Sequence, residues 1–261
     1  MSKIEIRELK KAYRNGDRES IVALDGISLA IENGEFVSIV GPSGCGKSTL
    51  LYTIAGFIAC DYGVVLVDGT PVIGPSMNCG IVFQEYALFP WRTVLGNITY
   101  GLESKGMARR QREEIAACYI ERMGLRGFEH CFPKELSGGM KQRVAIARTL
   151  AYEPDIILMD EPFGSLDAQT RELMQDQLLD IWRELGKTVL LITHDVSEAV
   201  FLSQRVIVMT SRPGKVKAEF SITLLKRQCR EEIMISDEFN QIRNPIWLAV
   251  REEVLKVEQA V

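Results

Sequence analysis

A glycine-rich segment near the start of the chain has the composition of a phosphate-binding loop. It matches G-x-x-x-x-G-K-[S/T] with one further hydroxyl residue and consists of Gly41, Pro42, Ser43, Gly44, Cys45, Gly46, Lys47, Ser48 and Thr49. Glycines let consecutive backbone N–H groups point into one concave nest, and the N-terminus of a following helix adds partial positive charge. Lys47 can reach the β- and γ-phosphates of a nucleotide, and the Ser48 hydroxyl can bind Mg²⁺. The segment therefore predicts a site for a nucleotide and magnesium.

Two adjacent carboxylates in the second half of the chain supply the chemistry that such a site needs. Asp160 and Glu161 directly follow Ile156–Met159, an apolar run typical of a buried strand. A strand ending there can deliver Asp160 to the magnesium through a water molecule. Glu161 can then face the γ-phosphate as the general base for an attacking water. The pair predicts hydrolysis of the bound nucleotide.

The elements that must position these residues alternate between short apolar segments and longer helical patterns. This alternation indicates an α/β fold with a mostly parallel sheet. The predicted strands are Phe36–Val40, Val64–Val67, Gly80–Phe83, Ile156–Met159, Val189–Thr193 and Arg205–Met209. The predicted helices are Lys47–Ala55, Met107–Met123, Lys141–Ala151, Ala168–Leu185 and Val196–Leu202. The phosphate loop thus lies between a strand and a helix, which is the context that its motif requires.

Other regions depart from this alternation. Residues 84–150 contain helical pattern and loops but no convincing strand, which indicates an inserted helical subdomain. An antiparallel edge sheet is predicted from Ile4–Leu9, Ser20–Leu24 and Ile27–Ile31, a terminal hairpin from Arg205–Phe220, and a helical tail beyond Ser236 that is interrupted at Pro245. We therefore divide this single nucleotide-binding domain into a core with a β edge (1–83 and 151–225), a helical subdomain (84–150) and a helical tail (226–261).

Composition narrows the classes of protein that remain. The 261 residues are 46% hydrophobic, and 31 basic against 35 acidic side chains give a net charge of −4, which argues against a nucleic-acid partner. No apolar run is long enough to span a bilayer, and the N-terminus has no signal-peptide core. The cysteines form no C-x-x-C pair, so we expect reduced thiols rather than a disulfide or zinc framework. They are Cys45, Cys60, Cys79, Cys118, Cys131 and Cys229.

A second candidate anion site lies at Leu136-Ser137-Gly138-Gly139-Met140-Lys141-Gln142-Arg143. Ser-Gly-Gly opens a helix whose apolar positions Val144, Ala147 and Ala151 can face a core, and a helix start with a hydroxyl group is suited to phosphate. Only one of the two phosphate-binding helix starts carries the lysine, so dimerisation around shared nucleotides is favoured. The chain has no Asn-Lys-x-Asp segment for guanine, which disfavours a GTPase.

These motifs together resemble the ATP-binding-cassette (ABC) ATPases. The Leu-Ser-Gly-Gly signature, Gln84 after a strand, Asp160-Glu161, Ser165-Leu166-Asp167 and His194-Asp195 occur in the order of that family, and the resemblance runs from about Lys3 to Gly214. It implies a RecA-like P-loop core with an inserted helical signature subdomain, ATP with Mg²⁺ as cofactors, and a head-to-tail homodimer or pseudo-dimer of cassettes. Ser137, Gly138 and Gly139 would contact the γ-phosphate held by the other subunit's Lys47.

The resemblance also implies roles for individual residues. Gln84 would sense the magnesium and the water, and link the site to a membrane partner. His194 would hydrogen-bond the γ-phosphate, and Tyr13 would stack on the adenine. Asp167 would couple the two sites across the dimer, a role compatible with capping the helix that follows it. Met140 departs from the family, whose commonest residue there is Gln, so the polar contact usually made at that position is in question.

Two stretches resemble one group of the family more closely. The segment from Gln84 to Val94 and the segment from Asp160 to Asp167 are similar to the nitrate/sulfonate/taurine group of bacterial ABC importers. This likeness implies an ATPase subunit at the cytoplasmic side of the cell membrane that works with integral membrane permease subunits and, indirectly, a solute-binding protein. The apolar segment Leu88–Trp91 would form a pocket edge for a permease helix, or would pack within the helical subdomain.

Other classes remain as alternatives. The main one is a soluble ABC ATPase in a non-transport assembly, such as iron–sulfur cluster assembly. The interval from Gln84 to Ser137 is too short for the long coiled coils of repair proteins, and the single cassette is unlike the paired cassettes of translation proteins. A phosphoryl-transfer kinase is disfavoured by the signature and by His194.

Overall fold

The computed structural model describes residues 2–14, 20–224 and 230–259. In these ranges the strands are β1 Ser2–Tyr13, β2 Ile21–Glu32, β3 Phe36–Val40, β4 Tyr62–Val67, β5 Thr70–Pro71, β6 Cys79–Val82, β7 Ile156–Asp160, β8 Thr188–Ile192, β9 Arg205–Met209 and β10 Val216–Ser221. The helices are α1 Lys47–Ile54, α2 Val94–Ser104, α3 Arg109–Arg122, α4 Gly138–Ala151, α5 Ala168–Leu185, α6 Val196–Leu202, α7 Arg230–Ile235 and α8 Asp237–Gln259, with a short 3₁₀ helix at Pro133–Glu135.

The described part of the chain divides into two compact units. Unit 1 comprises Met1–Ser76 and Lys187–Val261, and unit 2 comprises Met77–Gly186. Unit 2 is larger than the helical segment 84–150 that the sequence predicts, because it also includes β6, β7 and α5. The subdivision at residues 84 and 150 stays a prediction.

The antiparallel sheet of unit 1 has the strand order β2-β1-β4-β5. Ile6 in β1 pairs with Leu29 on one side and with Val65 on the other. The predicted edge sheet is therefore confirmed, but the predicted strands Ser20–Leu24 and Ile27–Ile31 fall into one strand, β2, which begins at Ile21. Gly26 lies within it at a φ of 72°, a conformation that glycine adopts without strain.

The second set of strands in unit 1 is mostly parallel. β3 lies between β8 and β9, with Ile39 paired to Ile192 in β8 and to Ile207 in β9. Every residue of β3 and β8 is buried, as expected for strands covered on both faces. β10 returns antiparallel to β9 and forms the predicted hairpin. Because β3, β8 and β9 run in parallel, the segments that follow them meet at one edge of the sheet.

The C-terminal tail of unit 1 differs from the prediction in one respect. The sequence predicts an interruption at Pro245, whereas α8 runs through this residue without a break from Asp237 to Gln259. A proline inside a helix removes one backbone hydrogen bond and costs roughly 3 kcal/mol. Phe239 and Ile246 on either side of it are fully buried, and this packing keeps the helix continuous. Residues 226–229, 260 and 261 of the predicted tail lie outside the described residues.

Unit 2 combines a parallel strand pair with the helices α2 to α5. β6 runs parallel to β7, with Val82 opposite Met159, and α4 contacts α2, α3 and β6. Val144, Ala147 and Ala151 are buried, as predicted for the core face of α4. Among the described residues, no helix is long and apolar enough to cross a membrane.

The described cysteines are free thiols. They are Cys45, Cys60, Cys79, Cys118 and Cys131, while Cys229 lies outside the described residues. Burial raises the pKa of the Cys79 thiol to about 12, so this side chain stays neutral.

Candidate nucleotide site

The phosphate loop connects β3 to α1 in unit 1, and its backbone requires glycine. Gly46 caps the N-terminus of α1 at a φ of 102°. A Cβ atom there would lie 2.8 Å from both the carbonyl oxygen of Ala23 and a methyl group of Leu24, so a larger residue would force the loop away. Gly44 has a φ of 74°. Two left-handed glycines in three residues produce the concave backbone that the sequence predicts.

The side chain of Lys47 is folded back onto this loop. Its Nζ donates hydrogen bonds to the carbonyl oxygens of Gly41 at 2.9 Å and Pro42 at 3.0 Å, and the residue is 6% exposed. Backbone carbonyl oxygens of the phosphate loop therefore hold the ammonium group beside the loop. The neighbouring Cys45 thiol is 1% exposed, and burial raises its pKa, so it contributes no charge here.

His194 lies at the same sheet edge as the phosphate loop. It follows β8 by two residues, and the N–H of Thr193 donates to the carbonyl oxygen of Ile39 at 3.2 Å, which ties this segment to the end of β3. The next residue, Asp195, caps α6 by accepting from the amides of Ser197 and Glu198 at 2.8 and 3.1 Å. The cap fixes the backbone at His194, whose side chain is exposed.

Tyr13 ends β1 beside the helix that follows the phosphate loop. Its hydroxyl group donates to Oγ1 of Thr49 at 3.3 Å, and the side chain is 41% exposed. Lys11 Nζ lies 5.8 Å from the ring centroid. Asp61 fixes this strand end by accepting from the N–H of Ala12 at 2.7 Å and from Lys11 Nζ at 2.9 Å. Tyr13, the phosphate loop and His194 thus lie together in unit 1.

In unit 2, the two predicted carboxylates and Gln84 share the edge of the β6–β7 pair. Val82 pairs with Met159, so Gln84 and Glu161 each follow that register by two residues on adjacent strands. Asp160 is the buried last residue of β7 and is 1% exposed. Glu161 has a φ of 47°, a left-handed conformation that is uncommon for residues other than glycine and is found at functional sites.

The signature segment starts α4 at the surface of unit 2. Ser137 is the N-cap, and its Oγ accepts from the N–H of Met140 at 3.3 Å. Ser137 and Gly138 are exposed, so another molecule can approach this helix start. Tyr86 packs beside it, because a Cβ atom at Gly138 would lie 3.0 Å from the Tyr86 hydroxyl oxygen. That hydroxyl also donates to Oγ of Ser165 at 3.2 Å.

The segment before α5 lies next to the signature. A Cβ atom at Gly139 would lie 3.4 Å from Thr170 and 3.5 Å from Leu166. Asp167 is the N-cap of α5, and its carboxylate accepts from the N–H of Thr170 at 3.0 Å. This hydrogen bond lowers the pKa of Asp167, so its carboxylate remains ionised at neutral pH. The predicted capping role of Asp167 is therefore observed.

Two arginines support these loops, although the sequence did not single them out. Nε and Nη2 of Arg212 donate to the carbonyl oxygen of Gly44 in the phosphate loop, at 3.2 and 3.0 Å. Arg148 on α4 donates to the carbonyl oxygens of Ala87 at 2.6 Å and Tyr86 at 3.3 Å, which fixes the loop after Gln84. Neither contact has a sequence signal, since the partners are more than 60 residues apart.

Each residue that the sequence assigns to magnesium carries a suitable donor atom. In unit 1, Ser48 offers a hydroxyl oxygen; in unit 2, Gln84 offers an amide oxygen and Asp160 a carboxylate, and these are the kinds of oxygen ligand that Mg²⁺ prefers. In the described ranges, no group of three or more His, Cys, Asp or Glu side chains could hold a metal ion by itself. Mg²⁺ is usually bound through one or two carboxylates and substrate phosphates rather than by a protein cage, so the residues fit this mode.

Comparison with known proteins assigns the family. The family model described as ABC transporter matches residues 24–164. The nitrate import ATP-binding protein NrtD of Synechocystis sp. is 52% identical over 221 residues, covering 85% of this chain and 83% of that protein. The taurine import ATP-binding protein TauB of Yersinia pestis is 48% identical over 233 residues, covering 89% and 90%. The predicted resemblance to the nitrate/sulfonate/taurine group is thereby confirmed.

A solved structure supports the same assignment. The dimeric post-hydrolysis state of the ATP-binding cassette MJ0796, bound to ADP and Pi, has a TM-score of 0.77 and 35% identity, covering 85% of this chain and 100% of that chain. The chain belongs to the ABC transporter family and has the fold of its ATPases, as predicted.

Proposed function

We propose that this chain is the ATP-hydrolysing subunit of a bacterial ABC importer, which couples ATP binding and hydrolysis to transport of a small solute through a separate permease. The solute class that the relatives favour is nitrate, sulfonate or taurine-like, because NrtD and TauB carry nitrate import and taurine import in their names. The chain would act as a dimer, as the ATP-binding cassette MJ0796 does in its solved structure. It would do so on the cytoplasmic side of the membrane.

Nucleotide binding follows from the arrangement in unit 1. Tyr13 would stack on the adenine, which is supported by the hydrogen bond from its hydroxyl group to Thr49 on the helix that follows the phosphate loop. The loop amides would bind the phosphates, and Lys47 would exchange its carbonyl partners for β- and γ-phosphate oxygens. Ser48, Gln84 and Asp160 would hold Mg²⁺, which neutralises phosphate charge when bound.

Hydrolysis would use a general base and hydrogen-bond donors to the γ-phosphate. Glu161 would take a proton from the attacking water, and His194 would donate a hydrogen bond to the γ-phosphate. The helix start at Ser137–Gly139, of which Ser137 and Gly138 are exposed, would bind the γ-phosphate of the nucleotide on a second copy of the chain. Each such donor aimed at developing charge typically contributes about 10²–10³ in rate.

The observation that carries the transport proposal is an apolar groove in unit 2. It has a volume of about 280 Å³ and is lined mainly by aromatic and apolar side chains of the segment after Gln84, α2 and α4. The rings of Phe89 and Tyr100 lie 4.5 Å apart between centroids, and Arg148 lies 5.7 Å from the Phe89 ring. Aromatic side chains in preformed pockets are typical anchors of protein interfaces, so the groove suits a short helix of a permease.

The groove is held rigid by Asn97. This buried residue accepts from the N–H of Phe89 at 2.9 Å, and its amide group donates to the carbonyl oxygens of Phe89, Arg92 and Thr93 at 3.0 to 3.2 Å. Trp91 in the same segment is 72% exposed. Since the segment is fixed through its backbone while Trp91 faces outward, packing within unit 2 and binding a partner are compatible.

The proposal is tested by purifying the chain with its membrane subunits. Tyr100→Glu introduces a charge into the groove on a side chain that is 41% exposed, so the chain should fold but lose copurifying permease. Phe128→Glu is the matched control, because this aromatic residue of unit 2 is 39% exposed and does not line the groove. Permease retained by Tyr100→Glu would contradict the groove assignment. Recovery of soluble partners alone with the unaltered chain would favour a non-transport assembly instead.

A further inference from the structure

The turn that joins β9 to β10 packs directly against the phosphate loop. We call residues 210–215 the buttress turn. Arg212 donates two hydrogen bonds to the carbonyl oxygen of Gly44, at 3.2 and 3.0 Å. Gly214 touches the next residue of the loop, since a Cβ atom there would lie 2.1 Å from the carbonyl oxygen of Cys45. The two segments therefore fit each other closely enough that only glycine is accommodated.

The buttress turn is itself well braced. Oγ1 of Thr210 accepts from the N–H of Lys215 at 2.9 Å and donates to the carbonyl oxygen of Pro213 at 2.9 Å. The N–H of Gly214 donates to the carbonyl oxygen of Ala23 in β2, at 2.9 Å. The bond to Ala23 joins the turn to the antiparallel sheet, so a shift of the turn would move the surface against which the phosphate loop packs.

A single carboxylate on α8 connects the C-terminal helix to this turn. Glu253 is 1% exposed and accepts from the N–H and the hydroxyl group of Ser211, at 2.9 and 3.2 Å. Its other oxygen lies 2.9 Å from Lys217 Nζ and 2.6 Å from Lys256 Nζ. Burial alone would raise the pKa of Glu253, but hydrogen bonds from Lys256, Ser211 and Lys217 lower it to about 2. The buried group is therefore a carboxylate anion at neutral pH.

We propose that the buttress turn positions the phosphate loop for nucleotide, and that Glu253 holds the turn, so the C-terminal helix sets the affinity for ATP. The peptide unit between Gly44 and Cys45 is planar, so fixing the Gly44 carbonyl fixes the direction of the Cys45 N–H. That N–H makes a long bond of 3.4 Å to the carbonyl oxygen of Pro42, which a phosphate oxygen can replace. Arg212 and Glu253 are positioning residues and act on ATP through the loop.

The inference rests on the proposed binding of ATP at the phosphate loop. The experiment distinguishes a failure of the inference from a failure of that proposed binding. Binding of a fluorescent ATP analogue with Mg²⁺ is measured on the full chain, together with kcat and KM of the complex. Glu253→Gln removes the anion and should raise Kd and KM about threefold to tenfold, with kcat changed less than about twofold. Glu252→Gln is the matched control, because this neighbouring carboxylate is 66% exposed and pairs with Lys217 at the surface. It should leave Kd unchanged.

The other partner of the contact gives an independent test. Arg212→Ala removes both donors to Gly44 and should weaken binding to a similar extent, while Arg212→Lys keeps a donor and should restore part of the affinity. These variants leave α8 intact, so they remain informative if Glu253→Gln fails to fold. Unchanged Kd in Arg212→Ala, or equal weakening in Glu252→Gln and Glu253→Gln, would overturn the inference. If Lys47→Ala also bound nucleotide normally, the phosphate-loop proposal would fail instead.

Discussion

The ammonium nitrogen of Lys47 lies 2.9 Å from the carbonyl oxygen of Gly41, so the lysine assigned to phosphate is hydrogen-bonded to its own loop. The same group donates to the carbonyl oxygen of Pro42 and, at 4.0 Å, to Sγ of Cys45, which accounts for the three donors of an ammonium group. Binding of phosphate must therefore replace at least one of these acceptors. The lysine both supports the loop and supplies charge to the ligand.

Lys47→Ala should weaken binding of MgATP at least about tenfold, because it removes a charge-assisted bond to phosphate and the hydrogen bonds within the loop. Isothermal titration on the full chain measures the affinity. Lys10→Ala is the control for loss of a positive charge, since Lys10 pairs with Asp25 at 2.9 Å on the surface. Unchanged affinity in Lys47→Ala would contradict the assignment of this loop to nucleotide.

Glu161→Gln should bind ATP but hydrolyse it at least about 10²-fold more slowly, because the amide cannot accept a proton from water. Phosphate release measures the rate, and size-exclusion chromatography with ATP should show an accumulated dimer. Glu153→Gln is a close control, because Glu153 also has a left-handed backbone, at a φ of 51°, and is exposed in the same unit. Near wild-type turnover of Glu161→Gln would remove Glu161 as the base.

Ser137→Asp separates the capping role of this residue from its contact with nucleotide. Asp and Ser cap helices about equally well, so the melting temperature should stay close to that of the unaltered chain. The added charge would repel the γ-phosphate of the partner's ATP, so hydrolysis should fall at least about tenfold while binding by the single chain persists. Ser137→Arg should block closure in the same way. Loss of nucleotide binding in the isolated monomer would argue against contact from the partner.

Gln142→Met should stabilise the chain. Gln142 on α4 is 1% exposed, and among the residues that the structure describes neither its amide oxygen nor its amide nitrogen has a hydrogen-bond partner. A buried polar group without a partner costs about 1–3 kcal/mol, and Met has a similar shape without that cost. Thermal unfolding should show a rise of roughly 2–8 °C. Gln111→Met on the exposed face of α3 should produce no such rise.

A helix that has a capping residue at each end could be predicted from the sequence. The predicted bounds of α5 agree with the structure because Asp167 caps its start and Gly186, at a φ of 58°, ends it. α2 had no such prediction, since its stability depends on Asn97, whose hydrogen bonds reach back to Phe89 in the preceding loop. The predicted interruption at Pro245 was wrong. Proline breaks a helix locally, but burial of the neighbouring residues in the tertiary structure outweighs that effect.

The candidate site shows the same distinction. Lys47, Glu161 and His194 were found because each belongs to a short motif that follows a strand. Arg212 was not found, because its contact with Gly44 depends on the register of β9 beside β3 and spans 168 residues. The periodicity of apolar residues predicts which residues follow the end of a strand. It does not predict which loops are in contact with each other.

The buried position of Glu253 also bears on how the protein is handled. A shortened form that ended before α8 would leave the amide of Ser211 and the ammonium group of Lys217 without the carboxylate that they bind here. Such a protein would retain every motif from Gly41 to His194 and still lack the contacts that hold the turn packed against its phosphate loop. Kinetic or inhibitor-screening work should therefore use protein that extends through Gln259, and an affinity tag should leave this helix free to dock.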